Sequence, residues 1–239
     1  YLLLDVLLLI DVIIAFREKI YNDHLVDLIH YYSIPGLSWD LALKFTGVIL
    51  ELLRDPEQFL MIENSIRGGI SSVVQRKADA NNEACGNYDP EKEKSFLQYL
   101  DMNNLYGFTF LQALPCSDFR LLSQQEIDQF DLFSIDDNSE TGYILECDLI
   151  YPNEIHSKHS SYPLAPEKLV IERDMISPFC EDLLPRHWSS TEKLTPNLIN
   201  KQNYVVHYRN LKFYLSHGMI RGKIHKILSF TQKPWLKSW

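Results

Sequence analysis

The stretch Tyr99–Pro115, Y-L-D-M-N-N-L-Y-G-F-T-F-L-Q-A-L-P, constrains the fold of this chain more than any other. A short apolar run, Phe96 to Leu100, stops at a carboxylate, Asp101. Two amides, an aromatic and a glycine follow, and the chain turns apolar again. That order predicts a buried strand ending in an acid, then a tight turn, which is one way α/β and α+β proteins present a metal ligand on rigid scaffold. The plain reading is an Asp that forms a turn or caps a helix.

Ahead of this segment, Tyr1–Phe16 and the residues after it read as a helix. It is apolar nearly all round, which predicts burial. A membrane span is excluded by Asp5 and Asp11, each costly at mid-bilayer, with short apolar runs between them. Tyr1 and Asp5, four apart, share a helix face. Ser38 is expected to cap a helix starting at Trp39, and Leu37–Leu53 is read as helical until Asp55–Pro56 breaks the run. In Ile66–Ser71 the pair Gly68–Gly69 permits positive φ and close backbone approach. Arg67, with Arg76 and Lys77 beyond, suits a phosphate backbone. The competing reading there is a simple β-turn. Ala78–Pro90 is expected to be an exposed loop.

Beyond it, G-Y-I-L-E-C-D-L-I-Y-P alternates as a strand. Tyr143, Leu145, Cys147 and Leu149 face one way, and Ile144, Glu146, Asp148 and Ile150 the other. Two acids on one face make a metal site conceivable, but Glu146 and Asp148 are expected to face solvent. His156 and His159 lack further ligands at zinc spacing and are read as loop residues. Four cysteines, Cys85, Cys116, Cys147 and Cys180, form no C-x-x-C and are read as unpaired thiols. Leu194–Trp239 mixes aromatic and basic residues, either as a nucleic-acid surface or as an aromatic core with basic residues outside.

The net charge of −9 is divided unevenly. Residues 201–239 hold eight basic residues and no acid, leaving 15 basic against 32 acidic residues in the first 200. A basic segment on an acidic body is compatible with a nucleic-acid footprint or with a solvated basic tail.

D-M-N-N-L-Y-G resembles the first polymerase motif of family B DNA polymerases. The full Tyr99–Pro115 run is similar to that of protein-primed polymerases of Maverick/Polinton-type elements and related viruses. L-S-W-D-L-A-L-K-F-T-G from Leu37, I-R-G-G-I-S from Ile66, Y-P-L-A-P-E from Tyr162, V-V-H-Y-R-N-L-K from Val205 and Q-K-P-W-L-K from Gln232 resemble the same family in the same order. The resemblance implies that Asp101 is a ligand shared by two Mg²⁺ ions, with the Met102 carbonyl available to one. Such ions sit ~3.5–4 Å apart among hard oxygens. It also implies that Met102, Asn103, Leu105 and Tyr106 bind the incoming nucleotide, Tyr106 excluding a 2′-hydroxyl. Y-x-x-x-D at Tyr1–Asp5 resembles the third exonuclease motif, with Asp5 on metal and Tyr1 orienting water. Arg67, Gly68 and Gly69 would contact primer-template DNA, although Ile66 stands where the family has tyrosine.

The resemblance therefore implies an α+β fragment: the end of a 3′–5′ exonuclease-like domain with connecting helices over residues 1–62, then part of a palm with a terminal-protein-type insertion over 63–239. The implied partners are primer-template DNA, dNTPs and a terminal protein as primer, with no membrane. The chain opens without Met and contains neither the K-x-x-x-N-S-x-Y-G nor the D-T-D motif, so it is read as a piece inactive alone. Two other readings stand beside DNA-directed DNA polymerase. One is a non-catalytic transposon relic that retains DNA binding. The other is an unrelated metal-dependent hydrolase using Asp101, Glu146 and Asp148.

Overall fold

A computed structural model describes residues 1–239 except Arg76 and Arg186. The fold is α+β. The helices are α1 (Leu2–His24), α2 (Ile34–Thr46), α3 (Pro56–Ser65), α4 (Leu105–Phe110), α5 (Gln124–Asp128), α6 (His156–His159), α7 (Pro178–Glu181) and α8 (Tyr208–Ser216). The strands are β1 (Leu114–Leu121), β2 (Thr141–Ile150), β3 (Glu167–Val170), β4 (Glu192–Thr195), β5 (Lys201–His207) and β6 (Ile220–Lys233). They pack as two compact units that interleave along the sequence. One comprises Tyr1–Leu52, Asn104–Ser117 and Gln232–Trp239; the other comprises Leu53–Asn103 and Asp118–Thr231.

In the first unit, α1 is the helix its Leu-rich sequence favours, and it stops where Leu25 turns left-handed at φ +54°. The Arg17 guanidinium holds Asp27 beyond that turn with bonds of 2.7 and 2.5 Å. The expected burial of α1 does not occur: none of its residues is buried. Among the described residues no helix is long and apolar enough to cross a membrane. Helix α2 starts five residues earlier than expected. Ser33, not Ser38, is its cap, accepting from the Gly36 N–H at 3.4 Å, and Pro35 in the first turn needs no donor partner. It ends at Gly47, whose φ of +63° suits glycine. Leu37 and Leu41, one turn apart, are buried, and Trp39 meets Trp235 edge-on at 6.0 Å.

The second unit is built on an antiparallel sheet in the order β1-β6-β2-β5. Strand β2 pairs antiparallel with both β5 and β6, and the alternation read in its sequence is realised. Leu145, Cys147 and Leu149 are fully buried on one face, packed with Tyr204, Val206, Ile227 and the α8 residues Tyr208 and Leu211. On the other face Ile144 joins Val205, Leu228 and Phe230 beneath Met61 of α3. Each such side chain contributes roughly 1.5–3 kcal/mol by leaving water. Met61 thereby holds α3 against this sheet, within the unit that includes Leu53–Asn103. The helix expected to run to Leu53 has already ended at Gly47, and after a stretch without regular structure Asp55 starts α3 by accepting from the Glu57 N–H at 2.9 Å.

The strand expected over residues 96–100 does not form. Phe96, Leu97, Tyr99 and Leu100 are exposed and no strand pairs with them. A short apolar run sets no partner by itself, and here none is supplied. The loop before it is closed on itself: the Asn81 side-chain amide donates to the carbonyls of Asp89, Lys92 and Glu93. Four cysteines are free, as expected.

Strand β3 is tied to β5 by a buried cation. The Lys201 ammonium, with a fully buried side chain, donates to Glu167 at 2.6 Å and to Asn197. Burial holds its pKa below the ordinary lysine value, while Glu167 opposes that shift. Removing the acid alone would leave a buried charge, so Glu167→Ala is expected to cost about 3 kcal/mol in urea unfolding, and Lys201→Met distinctly less. Equal losses in the two variants would contradict this assignment.

Candidate functional site

Three stretches distant in sequence meet in the second unit. The first leaves the end of α3 as Ile66–Ser71. Its position is set by Arg67, whose guanidinium lies 4.0 Å over the Tyr204 ring and donates to the carbonyls of Ser65 (3.2 Å) and Val205 (2.6 Å). Gly69 then adopts φ +79°, which glycine allows without strain. The second is Tyr162–Pro166. The Tyr151 hydroxyl accepts from the Leu164 N–H at 3.1 Å, and the Tyr204 hydroxyl donates to the Pro166 carbonyl at 2.9 Å. The third runs from Val206 at the end of β5 into α8.

Together they enclose a cleft of about 720 Å³. Its walls include the backbone of Gly68 and Gly69, Ser71, Ser72, Tyr162, Pro163, Pro166, His207, Asn210, Phe213 and Tyr214, and no Asp or Glu among the described residues. For a protein of net charge −9, a concavity without carboxylates is a clear local departure. Burial pushes the His207 pKa down to about 4; the Arg209 charge adds to the shift and Asp137 opposes it. The imidazole is therefore neutral near pH 7. Burial likewise raises the Tyr204 and Tyr214 hydroxyls above the ordinary tyrosine value, so both remain protonated.

The residues picked out by the sequence fall differently. Asp101 is exposed in a stretch without regular structure, and it makes no hydrogen bond or ion pair with the described residues. The capping role considered for it belongs to Asn104, which sits at φ +51° and accepts from the Gly107 N–H at 3.1 Å. Glycine at Gly107 suits this cap, because a Cβ there would force the Asn104 side chain to shift. Met102, Asn103, Leu105 and Tyr106 are all exposed, Tyr106 by 80%. Tyr1 and Asp5 open α1, exposed, with the Asp5 N–H donating to the Tyr1 carbonyl at 3.0 Å. Arg76 lies outside the described residues, and Lys77 pairs with Asp79 at 3.1 Å.

Glu146 and Asp148 do not simply face solvent. Glu146 lies 3.7 Å from Lys226, and Asp148 accepts from the Asn203 N–H (3.0 Å) and His225 Nε2 (2.9 Å). Those partners, the Asn203 N–H first, hold the Asp148 pKa below the usual carboxylate value. His156 and His159 form a helical turn rather than a loop, and both bond to Tyr151. His156 donates to its carbonyl at 3.1 Å, and buried His159 accepts from its hydroxyl at 2.8 Å. Among the described residues, no group of three or more His, Cys, Asp or Glu could hold a metal ion. Asp101 is thus not joined to Glu146 and Asp148, and the residues present do not complete a two-Mg²⁺ site.

The basic C-terminal segment is likewise partly committed. Lys201 binds Glu167, Lys212 binds Asp137 at 2.9 Å, and Lys226 binds Glu57 at 2.8 Å. Tyr204 and Tyr208 are buried, as the aromatic-core reading had it, whereas Phe213 is exposed. His207, Asn210 and Phe213 as cleft walls were not identifiable from sequence, since nothing in their spacing signals the partner segments. Comparison with family models, curated proteins and solved structures finds no match to this chain.

The depressed His207 pKa makes a signed prediction. The folded value lies below the unfolded 6.5, so acidification protonates the unfolded chain first. Stability present above pH 6.5 is lost as pH falls toward 4, by roughly 2–3 kcal/mol from this group. Urea unfolding at pH 7 and pH 4.5 should show wild type losing about that much more than His207→Gln. An equal loss in both contradicts the assignment.

Proposed function

We propose that this chain is part of a protein-primed family B DNA polymerase, and that its own contribution is to hold DNA in the cleft of the second unit. The observation that carries the reading is the convergence of Ile66–Ser71, Tyr162–Pro166 and Val206–Tyr214 on one carboxylate-free cleft. Each of these stretches carries part of the family resemblance on its own, and nothing in their sequence spacing requires them to meet. Absence of acids from the walls lowers the cost of bringing a polyanion against an otherwise acidic protein.

Polymerisation itself would need carboxylates that the described residues do not bring to Asp101, so no catalytic step is assigned to this chain alone. In the proposed enzyme Asp101 is the acid this segment contributes, and its exposure leaves it free to meet others. Tyr106 is the proposed deoxyribose selector. The exposed, unpartnered Asp101 also favours a second reading, a non-catalytic relic that retains DNA binding. The two readings part on activity.

Primer extension by the protein expressed from the whole reading frame encoding this sequence separates them. The polymerase reading expects extension by wild type and a loss of about 10²–10³-fold or more in Asp101→Asn, the scale on which removing a catalytic electrostatic group acts. Extension undiminished by that substitution would refute it. No extension by the wild-type protein would leave the relic.

A further inference from the structure

We infer that the cleft takes a single strand of nucleic acid and grips it by stacking bases on Tyr162 and Phe213, with charge in a minor role. The inference rests on the proposed DNA-handling function and specifies what that site accepts. Charge is the first reason. Arg67 is the one Lys, Arg, Asp or Glu among the described residues of the walls, and its guanidinium is engaged by two carbonyls and the Tyr204 ring. Duplex binding draws on several phosphate contacts at once, which such a wall cannot provide. Size is the second. A cleft of about 720 Å³ is of small-ligand dimensions, suited to a short stretch of one strand and not to a duplex.

The aromatic rings supply what charge does not. Tyr162 is 77% exposed and Phe213 50%, both on the cleft wall, where each can offer a π-face to a base. His217 packs against Phe213 at 4.2 Å between ring centroids and fixes its attitude. Ser71, Ser72 and Asn210 provide neutral hydrogen-bonding groups beside them. Gly68 is the remaining clue. Its φ is not positive, and a Cβ built on it meets nothing within 4 Å, so neither backbone conformation nor packing within the chain requires glycine there. A strand lying against the loop would.

The test is fluorescence anisotropy of the 239-residue chain with labelled twelve-residue oligothymidylate and with a blunt duplex. Tighter binding of the single strand is expected, with a log–log salt slope no steeper than about −1. Phe213→Ala and Tyr162→Ala should each weaken binding about tenfold or more. Gly68→Leu should also weaken it, while all three keep an unfolding midpoint within about 2 °C of wild type. Duplex bound as tightly as the single strand, a steep salt slope, or unchanged affinity in the aromatic variants would overturn the inference. These outcomes are independent of primer extension. If extension depends on Asp101 while the aromatic variants bind normally, the cleft inference fails and the polymerase reading stands. Stacking-dependent binding with Asp101-independent extension leaves a strand-binding unit and removes the polymerase reading.

Discussion

One arginine determines where the cleft is. Arg67 stacks on Tyr204 and gives a hydrogen bond to the Val205 carbonyl, 138 residues away in sequence. That contact fixes the end of α3 against β5, and the glycines that follow are therefore presented from a held position. The same Tyr204 donates its hydroxyl to the Pro166 carbonyl, so one buried ring positions two of the three walls. Charge-assisted bonds of this kind are stronger than neutral ones, and a low local dielectric strengthens them further. The arginine whose sequence context suits a phosphate backbone also holds the scaffold together.

Beneath the cleft lies the sheet, and its stability comes from β2 being covered on both faces. Leu145, Cys147 and Leu149 look toward α8, and Ile144 looks toward α3. Burial keeps the Cys147 thiol protonated, with its pKa pushed up to about 12, so it serves as a small apolar side chain. Buried Lys201 and partly exposed Glu167 add an ion pair that binds the β3–β4 ribbon to this body. Rigid walls over a doubly packed sheet are what a site needs if shape and stacking, rather than flexible charges, do the recognising.

Strand β2 was legible in the sequence because period-two alternation is a local property that burial on both faces preserves. The α2 start lies earlier than Ser38 suggests because Ser33 takes the cap and Pro35 fits the first turn, a pairing that the apolar pattern alone does not single out. Phe96–Leu100 looked like a strand because hydrophobicity signals a tendency to leave the solvent, not the presence of a partner. The tight turn expected after Asp101 is present as a helix cap, with left-handed Asn104 accepting from the Gly107 N–H, a local arrangement that the amide–glycine spacing does encode. The cleft was the least legible feature of all. Its walls come from positions near 67, 164 and 210, and only tertiary contacts bring them together.

The central claim is that ligand meets this protein at the cleft. Amide chemical-shift mapping by NMR with oligothymidylate tests it most directly. The account predicts perturbations concentrated at residues 66–72, 162–166 and 206–214, the walls of the cleft. Perturbations concentrated instead at residues 99–107 or along the basic residues from Arg221 to Lys237 would contradict it.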